Sequence, residues 1–167
     1  MEIVAAYDRQ EEILRLFKEY TDMISNKGEE VRACLASQHY EEEIRDLQAK
    51  YGPPRGRLYL ALAEGEAAGC AALAETDREY CEIKRVYVRS KFRGEGIGRA
   101  LTEKIISEAR AAGYRYMRLD TFPFMESAIR LYESLGFRYI ERYNDNPAPG
   151  AVFMELTLKA QSQWAGM

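Results

Sequence analysis

Arg93-Gly94-Glu95-Gly96-Ile97-Gly98-Arg99 lies between a β-branched run, Ile83 to Val88, and an amphipathic run that begins at Ile97. Strand, glycine loop and helix in that order make an anion cradle. Glycine lets the backbone turn sharply and approach a ligand closely, so successive N–H groups can converge on one oxygen-rich group. The helix behind the loop adds unbonded amides and the positive end of its dipole. Ile97, Leu101, Ile105 and Ala109 recur every four residues and Ala112 closes the stripe, so this helix turns one face inward and its N-terminus toward the loop. Gly113 is its natural C-cap.

Spacing separates three phosphate-binding patterns. A Walker loop needs Gly-Lys-Ser or Gly-Lys-Thr, and the chain has Gly98-Arg99-Ala100. A dinucleotide fingerprint needs G-x-G-x-x-G, whose last position falls on Arg99 or Leu101. Asp120 stands where a ribose-binding acid would, but no second βαβ unit completes a dinucleotide crevice. The pattern that remains is Arg-x-x-Gly-x-Gly, met by Arg93, Gly96 and Gly98.

The chain has 167 residues, 47% of them apolar, which is enough for one ordinary domain with a proper core. A net charge of -3 argues against the phosphate backbone of nucleic acid as the main partner. No apolar stretch approaches ~20 residues and the N-terminal segment lacks a signal pattern, so the expectation is a soluble, cytoplasmic protein without a membrane partner. Cys34, Cys70 and Cys81 are odd in number and have no metal or redox spacing, which fits a reducing compartment. The single histidine, His39, makes a Ser-His-Asp site or a histidine-rich metal site improbable, and no metal is expected.

Met1 to Ala6 reads as a strand, and Asp8 with Glu11 as a capping box for a helix bearing Ile13, Leu16, Phe17, Tyr20 and Ile24. Asn26-Lys27-Gly28 ends it. Ser37 then caps a second helix with Tyr40, Ile44, Leu47 and Tyr51 as its stripe, stopped by Gly52-Pro53-Pro54. Two apolar runs around Glu64-Gly65-Glu66 form a hairpin, and Cys81 to Val88 is the next strand. After the glycine loop and its helix come a strand from Tyr116 to Asp120 and a helix from Glu126 to Leu135. Strands at Tyr139 to Arg142 and Val152 to Leu158 follow, and the second alternates.

The loop, this order of elements and Ala128-Ile129-Arg130-Leu131-Tyr132-Glu133-Ser134-Leu135-Gly136-Phe137 together resemble the GCN5-related N-acetyltransferases (GNAT), whose second motif reads A-x-x-L-Y-x-x-x-G-F. The likeness covers nearly the whole chain and particularly resembles bacterial members with a loop such as Tyr143-Asn144-Asp145-Asn146-Pro147. It implies an α+β fold: a mostly antiparallel twisted sheet of about seven strands flanked by four helices and splayed between strands 4 and 5. One domain would span residues 1 to 159, with a frayed tail over 160 to 167. The implied function is transfer of an acetyl group from acetyl-CoA to a primary amine by direct attack in a ternary complex. The alternative is a CoA-binding module without turnover. Expected partners are a small-molecule or peptide amine, with a homodimer as the assembly to test for.

The resemblance also carries residues. The amides of Arg93, Gly94, Glu95, Gly96, Ile97, Gly98 and Arg99 would hold the diphosphate, with the Arg93 and Arg99 side chains adding charge-assisted bonds. Glu95 should then point to solvent, because a carboxylate beside phosphates costs Coulomb energy. Val86 and Val88 would pair with the pantetheine amides, and the Val88 N–H would polarise the thioester. Alternation would put Glu82, Lys84, Val86 and Val88 on one face, making Glu82 the base that acts through water or else a solvated strand residue. Tyr132 matches the family's general acid, although Ala128, Tyr132 and Leu135 share a helix face and a core tyrosine is the competing reading. Met125 replaces an asparagine common in the family, a contact that could move to Ser127. Tyr40, Glu41, Tyr143, Asn144, Asp145 and Asn146 lie where acceptor specificity resides in the family.

Overall fold

The structure is a computed structural model that describes residues 1–158. The expected tail over residues 160 to 167 lies outside the described residues. Seven strands form one sheet in the order β1-β2-β3-β4-β5-β7-β6. These are β1 (Glu2–Ala5), β2 (Arg57–Ala63), β3 (Glu66–Glu75), β4 (Tyr80–Val88), β5 (Tyr116–Thr121), β6 (Arg138–Ile140) and β7 (Val152–Thr157). Every neighbouring pair is antiparallel except β4 and β5, whose parallel pairing covers only Tyr80–Glu82 against Tyr116–Arg118. Beyond Glu82 the two strands part, and that is the expected splay.

Helices cover both faces. Helix α5 (Ile97–Ala111) packs Ile97, Leu101, Ile105 and Ala109 against Leu73, Ile83 and Met117 of the sheet, and α6 (Glu126–Ser134) closes the same core with Tyr132. On the other face α1 (Gln10–Ser25) and α4 (Leu47–Tyr51) bury Ile13, Leu16, Phe17, Leu47 and Tyr51 against Leu58, Leu60 and Cys70. Strand β3 runs between the layers with Ala67 to Ala74 wholly buried, so its alanines, Gly69 and Cys70 suit a strand covered on both sides. Glu64 (φ 53°) and Gly65 (φ 79°) make the two-residue β2–β3 turn read from the sequence.

The segment from 26 to 52 differs from expectation. Six α-helices are described, not four, because α2 (Glu29–Ser37) fills what reads as a loop, and α3 (Tyr40–Arg45) and α4 replace a single helix. Ser37 caps nothing: it ends α2 and its hydroxyl donates to the Cys34 carbonyl at 2.7 Å. His39 turns the chain with φ 57°, and Asp46 leaves helical geometry to accept the Ala49 N–H at the start of α4. Helix α1 likewise begins without a side-chain cap, so the Asp8 box is not formed; Arg9 instead pairs with Glu12 at 3.1 Å. None of the described helices is long and apolar enough to cross a membrane.

Candidate active site

The splay creates the site. Where β5 leaves β4, a groove of about 600 Å³ opens along Val86 and Val88, floored by Phe92 and Ile97 and closed by Leu131 and Tyr132 of α6. The glycine loop forms one end, with Arg93, Gly94, Gly96 and Gly98 lining it. Gly94 and Gly96 have φ of 83° and 81°, a region that L side chains rarely adopt, and a Cβ on either would meet only open space. Gly96 is the N-cap of α5, whose first turn carries no acidic residue and no side-chain cap, so its amides and dipole are left for a ligand. An apolar trough ending in such a cradle fits CoA: the loop and α5 suit its diphosphate, and the free β4 edge suits the pantetheine.

A β-bulge in β4 corrects the expected alternation. Arg85 sits at φ 58°, and the register slips so that Ala72 faces Lys84 whereas Cys70 faces Tyr87. Val86 and Val88 therefore pack toward α5 with Cys81 and Ile83, while Tyr87 packs toward α1. Glu82 and Lys84 belong to the opposite face from the two valines. The Arg85 conformation costs on the order of 1 kcal/mol. It is held by Nε and Nη2 donating to Glu43 at 2.9 Å and by Nη2 donating to Gln38 at 2.9 Å.

A second, smaller cavity of about 60 Å³ adjoins the groove. Tyr20, Val86, Met125, Ala128 and Tyr132 line both spaces, and Cys34, Lys84, Arg85, Asp120 and Asn146 line only the smaller one. Tyr132 thus stands where the groove and the smaller cavity meet. Its ring is buried and packs on Phe137 at 5.4 Å, and its hydroxyl makes no hydrogen bond among the described residues. Burial pushes the phenol well up from its ordinary value, so at neutral pH it holds its proton.

Asp120 ends β5, and its Oδ2 accepts Nδ2 of Asn146 at 2.8 Å and of Asn144 at 3.3 Å. Its Oδ1 takes no hydrogen bond among the described residues. The 143–148 loop is shaped for this: the Asn144 and Asn146 side chains accept the N–H groups of Asn146 and Ala148, and Arg142 donates to the carbonyls of Asn146 and Ala148.

The expected residues divide. Val86, Val88, Arg93, Gly94, Gly96, Ile97, Gly98, Ser127 and Tyr132 all line the groove. Arg93 Nε donates to the Val88 carbonyl at 3.0 Å, tying the loop to β4. Arg99 does not reach the groove; it donates to Ser134 Oγ at 2.7 Å and faces Glu103 at 3.5 Å, joining α5 to α6. Glu95 is exposed and outside the lining. Glu82 is not brought to either cavity: its carboxylate accepts the Tyr143 hydroxyl at 2.5 Å. Burial, followed by the Glu82 charge, pushes the Tyr143 phenol up, and Arg118 stacks between Tyr143 at 5.0 Å and Tyr80 at 4.1 Å.

Sequence reasoning passed over Lys27, Lys84 and Asp120 as site residues. Lys27 reads only as part of a helix end, yet it lines the groove beside Phe124, with its ammonium 5.5 Å from that ring. Asp120 was legible as an acid at a strand end, which is where α/β folds place ligand contacts. No group of three His, Cys, Asp or Glu among the described residues is placed to hold a metal ion.

The model of the acetyltransferase (GNAT) family matches residues 13–137, three-quarters of the chain. An N-acetyltransferase of Schizosaccharomyces pombe is 40% identical over 126 residues, covering 74% of this chain and 77% of that protein. In fold, the chain is similar to an acetyltransferase from Streptococcus agalactiae, with TM-score 0.75 and 23% identity over 94% of this chain and 98% of that one. A GNAT acetyltransferase from Elizabethkingia anophelis, solved with acetyl-CoA bound, has TM-score 0.54 and 26% identity over 62% of this chain and 77% of that one. Relatives come from eukaryotes and bacteria alike, so the bacterial character expected from the 143–147 loop gives way to the broader assignment. With both motifs, the splayed sheet and the family model in agreement, the chain belongs to the GNAT family of acetyltransferases.

Proposed function

We propose that the protein transfers an acetyl group from acetyl-CoA to the nitrogen of a primary amine by direct attack in a ternary complex. One observation carries this reading: a protonated, unbonded phenol, Tyr132, stands at the junction of an anion-ended groove and a small cavity that holds a carboxylate, Asp120. The loop amides and α5, with Arg93 and Lys27 nearby, bind the diphosphate. The unpaired edge at Val86 and Val88 orients the pantetheine, and a backbone N–H there polarises the thioester carbonyl.

Asp120 accepts the proton of the ammonium, directly or through one water, and frees the lone pair to attack. The C–N bond forms, the carbonyl electrons collapse back, and the C–S bond breaks. Tyr132 gives its proton to the leaving thiolate, the second proton that the nitrogen sheds on becoming an amide passes through water to the resulting phenolate, and Asp120 returns the first to solvent, which balances the step. Glu82, the base the resemblance implies, holds Tyr143 outside both cavities and so serves to position the 143–148 loop. A CoA-binding module without turnover would need the groove but not a phenol and a carboxylate on either side of its reactive end.

Incubation with acetyl-CoA and a panel of amines, following thiol release and confirming product by mass spectrometry, tests the reading. Calorimetry with CoA tests the groove separately. Binding of CoA with no turnover of any amine would leave the module reading standing, and no heat at millimolar CoA would remove both.

A further inference from the structure

Lys84 has no role in the reaction described above. It leaves β4 on the face opposite the valines, next to the bulge, and reaches the wall of the small cavity. Among the described residues it makes no hydrogen bond and no ion pair. Its cationic neighbour Arg85 is different, because Glu43 binds it through both oxygens. Lys50 shares that same carboxylate at 2.9 Å, so Glu43 already serves two cations, and Glu82 and Asp120 act on Lys84 only through their charge, with no ion pair among the described residues. Gln38 is also occupied, its oxygen accepting from Arg85 and its nitrogen donating to Cys34 Sγ.

We propose that the acceptor is a compact amine that also carries a carboxylate, and that Lys84 binds that carboxylate inside the small cavity. This rests on the acetyl-transfer reading above and names its substrate class. A mostly buried ammonium without a partner is costly, and a ligand anion removes the cost. Burial pushes the Lys84 ammonium down from its ordinary value, which an incoming carboxylate would reverse. The acid that lines the same cavity fits the rest of the ligand: Oδ1 of Asp120 accepts no hydrogen bond among the described residues and suits an ammonium. A cation and an anion that both line a cavity of about 60 Å³ select a small zwitterion over a polyamine, a peptide terminus or an aminoglycoside. Polyamines would set positive charge against Lys84, and a peptide terminus carries an amide where the carboxylate should be.

The test uses the full chain with saturating acetyl-CoA and three matched sets of acceptors: the common amino acids, their primary amides and their decarboxylated amines. At least one amino acid should exceed its own amide in kcat/KM by on the order of 10²-fold. In Lys84→Met that ratio should fall to within a few-fold of unity, mainly through KM for the amino acid, and Lys84→Arg should keep more of it. KM for acetyl-CoA, read in the same assays, reports whether the groove is intact. Amides or decarboxylated amines that match or outrun every amino acid overturn the proposal while leaving acetyl transfer in place, and so does a ratio that survives Lys84→Met. Turnover of no amine at all would fell the acetyl-transfer reading with it. If Lys84→Met does not fold, the wild-type preference for acid over amide still decides.

Discussion

Tyr132 is the residue at which packing and chemistry make different demands. Its ring belongs to the α5-side core, yet its hydroxyl has no partner among the described residues and borders both cavities. Tyr132→Phe keeps the ring, so melting temperature and acetyl-CoA affinity should change little while kcat falls by on the order of 10². Single-turnover rates must accompany kcat, because product release could hide the chemical step. A chemical step of wild-type speed would return Tyr132 to a packing role. Asp120 and Glu82 offer the matching contrast for the proton acceptor. Asp120→Asn should lower kcat/KM by on the order of 10² and shift its pH profile, whereas Glu82→Gln should stay within a few-fold. The reverse ranking would restore Glu82 as the base. At this scale the motif pointed to Tyr132, which the structure sets beside the groove, whereas alternation put Glu82 on the face of the valines and the structure has it on the other, because the bulge at Arg85 is marked by no glycine or proline. An arginine at φ 58° is held there by Glu43 and Gln38, from elements some forty residues away, and no local pattern records that.

At the scale of elements, what could be read depended on how many turns each one repeats its pattern. Helix α5 shows four turns of one stripe and a glycine at each end, so its bounds and its packing face were both legible. Helix α2 spans nine residues and buries only Val31 and Cys34, too short a pattern to stand out from a loop. Tyr40, Ile44, Leu47 and Tyr51 keep helical spacing across two helices, so the break at Asp46 was hidden by the stripe that continues through it. The loop–α5 junction yields a separate test at Gly98. There φ is ordinary, and an added Cβ would make normal contacts with Val88 Cγ2 at 3.7 Å and Leu131 Cδ2 at 4.0 Å, both on the groove wall. Gly98→Ala should therefore stabilise the helix by roughly 0.5–1 kcal/mol and raise Tm by roughly 1–4 °C. The same methyl narrows the groove, so the Kd for CoA should weaken about 10-fold, a loss of about 1.4 kcal/mol. A variant that is more stable and binds CoA as tightly as the wild type would show that the ligand does not pass between Val88 and Leu131.

For the whole molecule, β4 is the shared wall. Its valines face the groove, while Lys84 and Arg85 face the smaller cavity and anchor α2 and α3 to the sheet. The anchor is electrostatic. Arg85 and Glu43 are both buried, with side chains 5% and 1% exposed, and Lys50 closes the cluster from the edge. Burial alone would raise the Glu43 carboxyl, but hydrogen bonds from and attraction to Arg85, then Lys50, hold it at about 2 against an ordinary 4.5. The folded state therefore binds this proton more weakly than the unfolded chain. Its contribution, on the order of 3 kcal/mol, is present above about pH 5 and is lost as pH falls through the carboxylate range toward 2. Glu43→Gln leaves Arg85 buried without its anion and should cost roughly 3–5 kcal/mol at pH 7. Urea unfolding of both proteins at pH 7 and pH 3 checks the sign: the gap between them should shrink by about 2 kcal/mol at the lower pH, because the unfolded wild type then takes up a proton that the folded one still excludes. A gap of equal size at both pH values would mean that the hydrogen bonds lost on exchanging an oxygen for an NH2 group, and not the ionisation of the carboxylate, hold α3 against the sheet.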